Sequence, residues 1–276
     1  MKAAEGFSGA FRAAAVIGAF AFRDLYRRRF FAGVAVLMLF FAAGSSFLVQ
    51  IDFGGDPRRF VLDFCFGALA LFGTALAVAL TAVSLREPVE RKTLDLLLVR
   101  PCGRGTVFAG LFGGSLAALT LFVLAAGIFV AAFAWRYSPV PETPGGGADV
   151  FGWGGFAFAL WIAWLRLVVI ASMAFLVAAV VDSVPVAVLL GLVLAIIGEV
   201  HGIAAEVWRQ GGEGAVTTGL LAVLRLIPDL RYLQAGVYLH GAEVSASGFA
   251  ALTLYALIFA AGYAVLAVFV LIRRAG

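Results

Sequence analysis

Long apolar runs separated by short charged gaps organise this chain. Six runs stand out, at about 30–49, 64–85, 106–134, 156–181, 186–200 and 249–272. A bilayer core of about 30 Å needs about 20 apolar residues per helical crossing, so they predict six transmembrane helices. The gaps carry the breakers and the charges. Asp52, Asp56, Arg58 and Arg59 lie in the first, and a charged stretch fills 86–105. Pro139, Pro141, Pro144 and three consecutive glycines mark a flexible turn, while Asp182, Ser183 and Pro185 form a tight one. Residues 202–247 are the longest stretch outside the runs.

Residues 7–29 follow a different pattern. At helical spacing Phe7, Phe11, Ala14, Gly18, Phe22 and Leu25 share one face, with Arg12, Arg23 and Arg27 opposite. Val16 and Phe20 fall off the apolar face. The pattern predicts a helix lying in the membrane interface, the alternative being an ordinary cytosolic helix. The arginines also argue against a cleavable signal peptide.

Composition agrees with lipid as the main solvent. Of 276 residues, 63% are hydrophobic and only 13% charged, and mean hydropathy is +1.06. Soluble domains hold about 25% charged residues. The expectation is therefore one all-α integral membrane domain over 1–276, with no sizeable soluble part. The net charge of +4 does not indicate nucleic acid, because the charges lie between the apolar runs, where they set topology. With six spans, Arg58, Arg59, Arg136, Arg209, Arg225 and Arg231 share one side and Arg166 lies within a span. The other thirteen of the 20 Lys and Arg share the opposite side. The positive-inside rule then places both termini in the cytoplasm. Cys65 and Cys102 lie on different segments and are expected to be free thiols, with no disulfide and no metal site.

Few charges interrupt the spans. Arg166 falls near the middle of the fourth, and a mid-membrane arginine costs at least ~2.5 kcal/mol unless it finds a partner. At about 1.5 Å per residue, Arg166 lies ~15 Å below the outer boundary and Glu199 ~8 Å. Glu199 is the first candidate partner and Asp63, at the mouth of the second span, the next. The pair could line a translocation path or lock two helices together. A kinked span that brings Arg166 to water is the third reading. His201 lies two residues from Glu199, on another helix face, and His240 is the only other histidine; neither suggests a metal site. No catalytic set emerges either, since arginine stays protonated and cannot act as a base. A membrane-embedded enzyme and an ion-coupled secondary transporter remain the other function classes. The second would show internal repeats and broken spans in matching halves, and no clear repeat is visible.

The segment between the second and third spans carries the most specific signal, EPVERKTLDLLLVRPCGRGTVFAG. On a helix, Leu94, Leu97 and Leu98 form one apolar ridge, Arg91, Lys92 and Asp95 turn away from it, and Pro101 ends it. Such a ridge at a membrane surface can dock into a groove on a soluble partner, or the helix can simply link two spans.

This segment resembles the cytoplasmic motif of ABC type-2 transporter permeases, approximately E-x-G-T-L-x-L-L-L-x-x-P-x-x-R followed by a Gly-Lys pair. Glu90, Thr93, Leu94, Leu96, Leu97, Leu98, Pro101, Arg104 and Gly110 match it, while Lys92 and Leu111 depart from it. The resemblance implies an interfacial elbow helix (7–29) and six spans. It also implies a cytoplasmic coupling helix (86–100) and an outward-facing re-entrant element (about 215–239, bent at Pro228 and Asp229). The docking set would comprise Glu87, Glu90, Arg91, Thr93, Leu94, Leu97, Leu98, Arg100, Pro101 and Arg104. The chain has no G-x-x-x-x-G-K-[ST] phosphate loop. The resemblance therefore implies two separate ATPase subunits carrying ATP and Mg, a second permease copy or a related permease, and export across a bacterial inner membrane. The chain itself would bind no cofactor.

Overall fold

A computed structural model of the chain describes residues 2–25, 31–50, 57–90, 103–136, 153–210, 226–239 and 246–274. Within them the protein is all-helical: α1 (Lys2–Leu25), α2 (Phe31–Gln50), α3 (Pro57–Glu90), α4 (Arg104–Arg136), α5 (Trp153–Val180), α6 (Val184–Gln210), a 3-10 turn (Leu230–Leu233), α7 (Gly236–Leu239) and α8 (Ala246–Arg274). Five of these, α3, α4, α5, α6 and α8, are long and apolar enough to cross a membrane. The protein is a multi-pass membrane protein by that measure. Helix α2 is apolar over Val36–Phe47 among the described residues, and a sixth span rests on the sequence pattern.

Helix α5 is the axis of the bundle. In its most apolar window 83% of the residues are buried, against 22% in α6 and α8. A helix that is apolar all round belongs either in lipid or among other helices, and here α3, α4, α6 and α8 all pack on α5. Phe41, Leu69, Leu119, Ile162, Leu165 and Ile170 fill the principal core. A second core, with Leu85, Val107, Phe108, Phe175 and Leu271, lies where α3 stops and α4 begins; we call this the near end. Trp153 marks the far end.

The small hydroxyl residues within the helices mostly satisfy themselves. Ser45, Thr74, Thr81, Ser115 and Ser172 donate to carbonyls three or four residues earlier, so they add no polar demand to the core. Trp164 turns inward and donates to Thr120 Oγ1 at 3.0 Å, whereas Trp153 is exposed. Cys65 is a buried free thiol; Cys102 lies outside the described residues.

Two boundaries differ from the sequence reading. Helix α3 continues past 85 to Glu90, through Pro88, where the expected coupling helix was to begin. Pro88 costs the helix one hydrogen bond, offset by Leu85 and Val89 packing in the second core. Helix α6 runs ten residues beyond the expected end at 200. After His201 the stretch Gly-Ile-Ala-Ala-Glu-Val-Trp-Arg-Gln contains mostly tolerated or good helix formers, and Gly211 and Gly212 come only afterwards.

Helix α1 uses its small-residue face on protein. A Cβ on Gly110 would sit 2.8 Å from the Ala14 carbonyl oxygen, and one on Gly114 2.7 Å from that of Gly18. Ala21 meets Gly114 at the next turn. The register advances the same way along both helices, so α1 leans along α4 there, with Val16 and Phe20 exposed. Glycine is required at 110 and 114 because backbone meets backbone. Gly113 makes no such contact.

Candidate functional site: a polar layer in the far half of the bundle

Arg166 projects from the central helix α5 and forms an ion pair with Glu199 of α6. Its side chain is 13% exposed and that of Glu199 31%. The Arg166 Nε is buried with no hydrogen-bond partner among the described residues. A guanidinium this deep depends on its carboxylate partner for most of its compensation. Asp63 is not the primary partner. It is exposed and lines a cavity that Arg166 also lines.

The same stretch of α6 receives the segment 226–239. Gly198 and Gly202, one turn apart, open a seam for it. A Cβ on Gly198 would come within 2.9 Å of Leu230 Cδ1, and one on Gly202 would overlap the Arg231 guanidinium. Glu199 and His201 flank this seam on opposite sides. Glu199 faces Arg166, and His201 Nδ1 lies 3.7 Å from Asp229 Oδ2.

Asp229 organises the segment. It is buried, and its Oδ1 accepts from the Arg231 backbone N–H at 3.0 Å and lies 3.4 Å from Arg231 Nε. Those contacts begin the 3-10 turn. Two tyrosines of α8 hold the irregular backbone from the other side. The Asp229 N–H donates to Tyr255 Oη at 2.8 Å, and Tyr263 Oη donates to the Leu226 carbonyl. Non-helical backbone inside a membrane protein needs such partners, since lipid offers none.

Between α3, α5 and this segment lies a cavity of about 490 Å³. Its walls are Phe66, Gly67, Leu69 and Ala70 of α3, Ala163 and Leu167 of α5, and residues 233–237, with Asp63, Arg166 and Gln234 as the polar groups. Apolar walls with a few convergent polar groups are what small-molecule sites are made of.

The chain matches no protein-family model and no curated protein.

At the near end, a second charged group gathers around the turn between α5 and α6. Glu90, the last residue of α3, accepts from the Val184 N–H at 2.9 Å and so caps α6. Arg274 of α8 donates to the Ala179 carbonyl and to Asp182 Oδ1, both at 3.2 Å. Arg86 is buried, with its Nη1 3.9 Å from the same carboxylate. Of the expected docking residues, Glu87 and Glu90 close α3 and Arg104 opens α4. Arg91, Thr93, Leu94, Leu97, Leu98, Arg100 and Pro101 lie outside the described residues.

Sequence reasoning singled out Arg166 and Glu199, and the structure brings them together. It did not find Asp229, Arg231, Tyr255, Tyr263 or Gln234 as partners in the same layer. A carboxylate beside a proline within a moderately apolar stretch was the available signal for Asp229. The two tyrosines carried none, because aromatic residues are ordinary in spans.

Proposed function

We propose that this chain is the membrane-spanning permease subunit of an ATP-binding-cassette exporter of the type-2 class. It would work in the cytoplasmic membrane with both termini inside. Two separate ATPase subunits would bind ATP and Mg, and a second copy or a related permease would complete the membrane part. The observation that carries the reading is the segment 87–104. Its match to the type-2 motif falls between two long apolar helices, and Glu90 of that motif caps α6. The absence of a phosphate loop from the sequence fits a subunit whose energy comes from a partner.

A mechanism follows from these contacts. Movement of the ATPase subunits pulls on 91–102, and Glu90 passes the displacement to the start of α6. Helix α6 is continuous from Val184 to Gln210, so it carries the movement to Glu199 and His201. There it changes how α6 seats on Arg166 and on the segment around Asp229. Six spans, with α2 as the first and 226–239 as part of an outward re-entrant element, belong to the same proposal.

The test is co-purification. The tagged chain, co-expressed with candidate ATP-binding-cassette ATPases from its own genome, should retain one of them through detergent extraction and support its ATP hydrolysis. A chain that inserts normally yet never retains an ATPase would contradict the proposal.

A further inference from the structure

The far-half cavity indicates what kind of molecule it can hold. At about 490 Å³ it falls within the ~300–1,000 Å³ range of small-molecule sites. Phe66, Leu69, Leu167, Leu233 and Val237 give it an apolar lining. Its polar groups are unequal. Asp63 is exposed near the start of α3, where water weakens its field, whereas Arg166 is deep. A guanidinium has five N–H donors, more than the carboxylate of Glu199 can take up, and Arg166 lines the cavity while holding that pair. Gln234 also lines the cavity, and a glutamine side chain carries amide donors.

We propose that this cavity binds an amphipathic molecule, its acidic head group (carboxylate or phosphate) at Arg166 and Gln234 and its alkyl part against Phe66, Leu69 and Leu167. Two sources offer that chemistry, an acidic lipid of the surrounding bilayer and a free amphiphile. The proposal rests on the cavity alone. A failure of ATPase docking would leave it intact, and its own failure would leave the docking proposal intact.

The chain offers a way to close the cavity without touching the ion pair. A Cβ on Gly67 would meet nothing within 4 Å, so Gly67→Phe directs a ring into the space. Val237, exposed on the opposite wall, gives an independent filling variant, Val237→Trp. The full-length protein is placed in phosphatidylcholine nanodiscs, and saturable binding of radiolabelled decanoate is measured against empty discs. Decyl phosphate, decanol and decyltrimethylammonium serve as competitors. Decanoate and decyl phosphate should bind about tenfold tighter than decanol, the contribution of a charge-assisted hydrogen bond. Both filling variants should lose the saturable component while unfolding at the wild-type temperature. Weaker decanoate binding in phosphatidylglycerol discs identifies a bilayer lipid as the occupant. Undiminished binding there identifies a free amphiphile. The proposal is overturned if the alcohol or the cation competes as well as the acids, if saturable binding is absent, or if both variants bind like wild type.

Discussion

Neutralising one member of the Arg166–Glu199 pair should destabilise the protein asymmetrically. Arg166 is the more deeply buried partner, and its Nε has no acceptor among the described residues. Glu199→Gln therefore strands a buried cation, at about 3–5 kcal/mol. Arg166→Gln strands a carboxylate that is nearly a third exposed. That loss should be smaller, about 1–3 kcal/mol. The double variant Arg166→Met/Glu199→Met removes both charges and fills similar volume. It should recover most of the loss, because a buried pair is often no better than a hydrophobic replacement. The protein carries its own reporter. Cys65 is buried, and in a Cys102→Ser background it is the only remaining thiol of the 2 in the chain. Labelling of Cys65 by a thiol-reactive dye during thermal or detergent unfolding then gives the stability of each variant, and the single variants Arg166→Met and Glu199→Met, measured beside the double variant and wild type, complete a double-mutant cycle. Equal losses for the two single variants, or additive effects in the cycle, would refute this reading of the pair.

Three further outcomes follow from the packing. Gly114→Leu drives a side chain into the Gly18 carbonyl and Ala21, so it should cost about 1–3 kcal/mol and expose α1 to protease; unchanged protection would show that α1 does not need this contact. Tyr255→Phe leaves the buried Asp229 N–H without its acceptor, at about 1–3 kcal/mol. Hydrogen exchange should then quicken in 226–233, and an unchanged rate would count against the two-tyrosine anchor. Reporter fusions after Arg100 and Arg274 should report cytoplasm and fusions near Gly146 and Gly212 the opposite side, a cytoplasmic signal at Gly146 being incompatible with six spans.

The spans were legible because apolar run length is a one-dimensional property. Residues 156–181 must be in lipid or in protein, and either way they are helical. Which helix sits at the centre was less legible, since α5 and α6 read alike in hydropathy but differ in how much of each is buried. Helices run past the expected span ends where packing continues them, as α3 does through Pro88, or where strong breakers come late, as in α6 beyond Val200. The pairing of Arg166 with Glu199 could be anticipated because few charges fall within the spans and an arginine side chain can bridge the difference in their depths. The layer around Asp229 could not. Its partners lie on α6 and α8, and hydroxyl-to-backbone bonds such as Tyr255 to Asp229 leave no trace in residue spacing. Of the apolar face read on α1, Ala14 and Gly18 meet α4, joined by Ile17 and Ala21, and periodicity does not distinguish a lipid surface from the Gly110 and Gly114 seam of α4.

The most direct test of the central claim concerns Leu94 and Leu97. If 87–104 docks an ATPase, its apolar ridge carries much of the interface, and truncating such anchors costs ~2 kcal/mol or more. Leu94→Asp and Leu97→Asp should each abolish retention of the ATPase in a pull-down from detergent, together with its stimulated ATP turnover. Lys92→Glu, on the other side of the ridge, should have little effect. Membrane insertion of every variant, followed by Cys65 protection, should match wild type. Retention at wild-type level by both leucine variants would contradict docking at this segment, and loss of insertion would assign the ridge to packing on the chain's own helices.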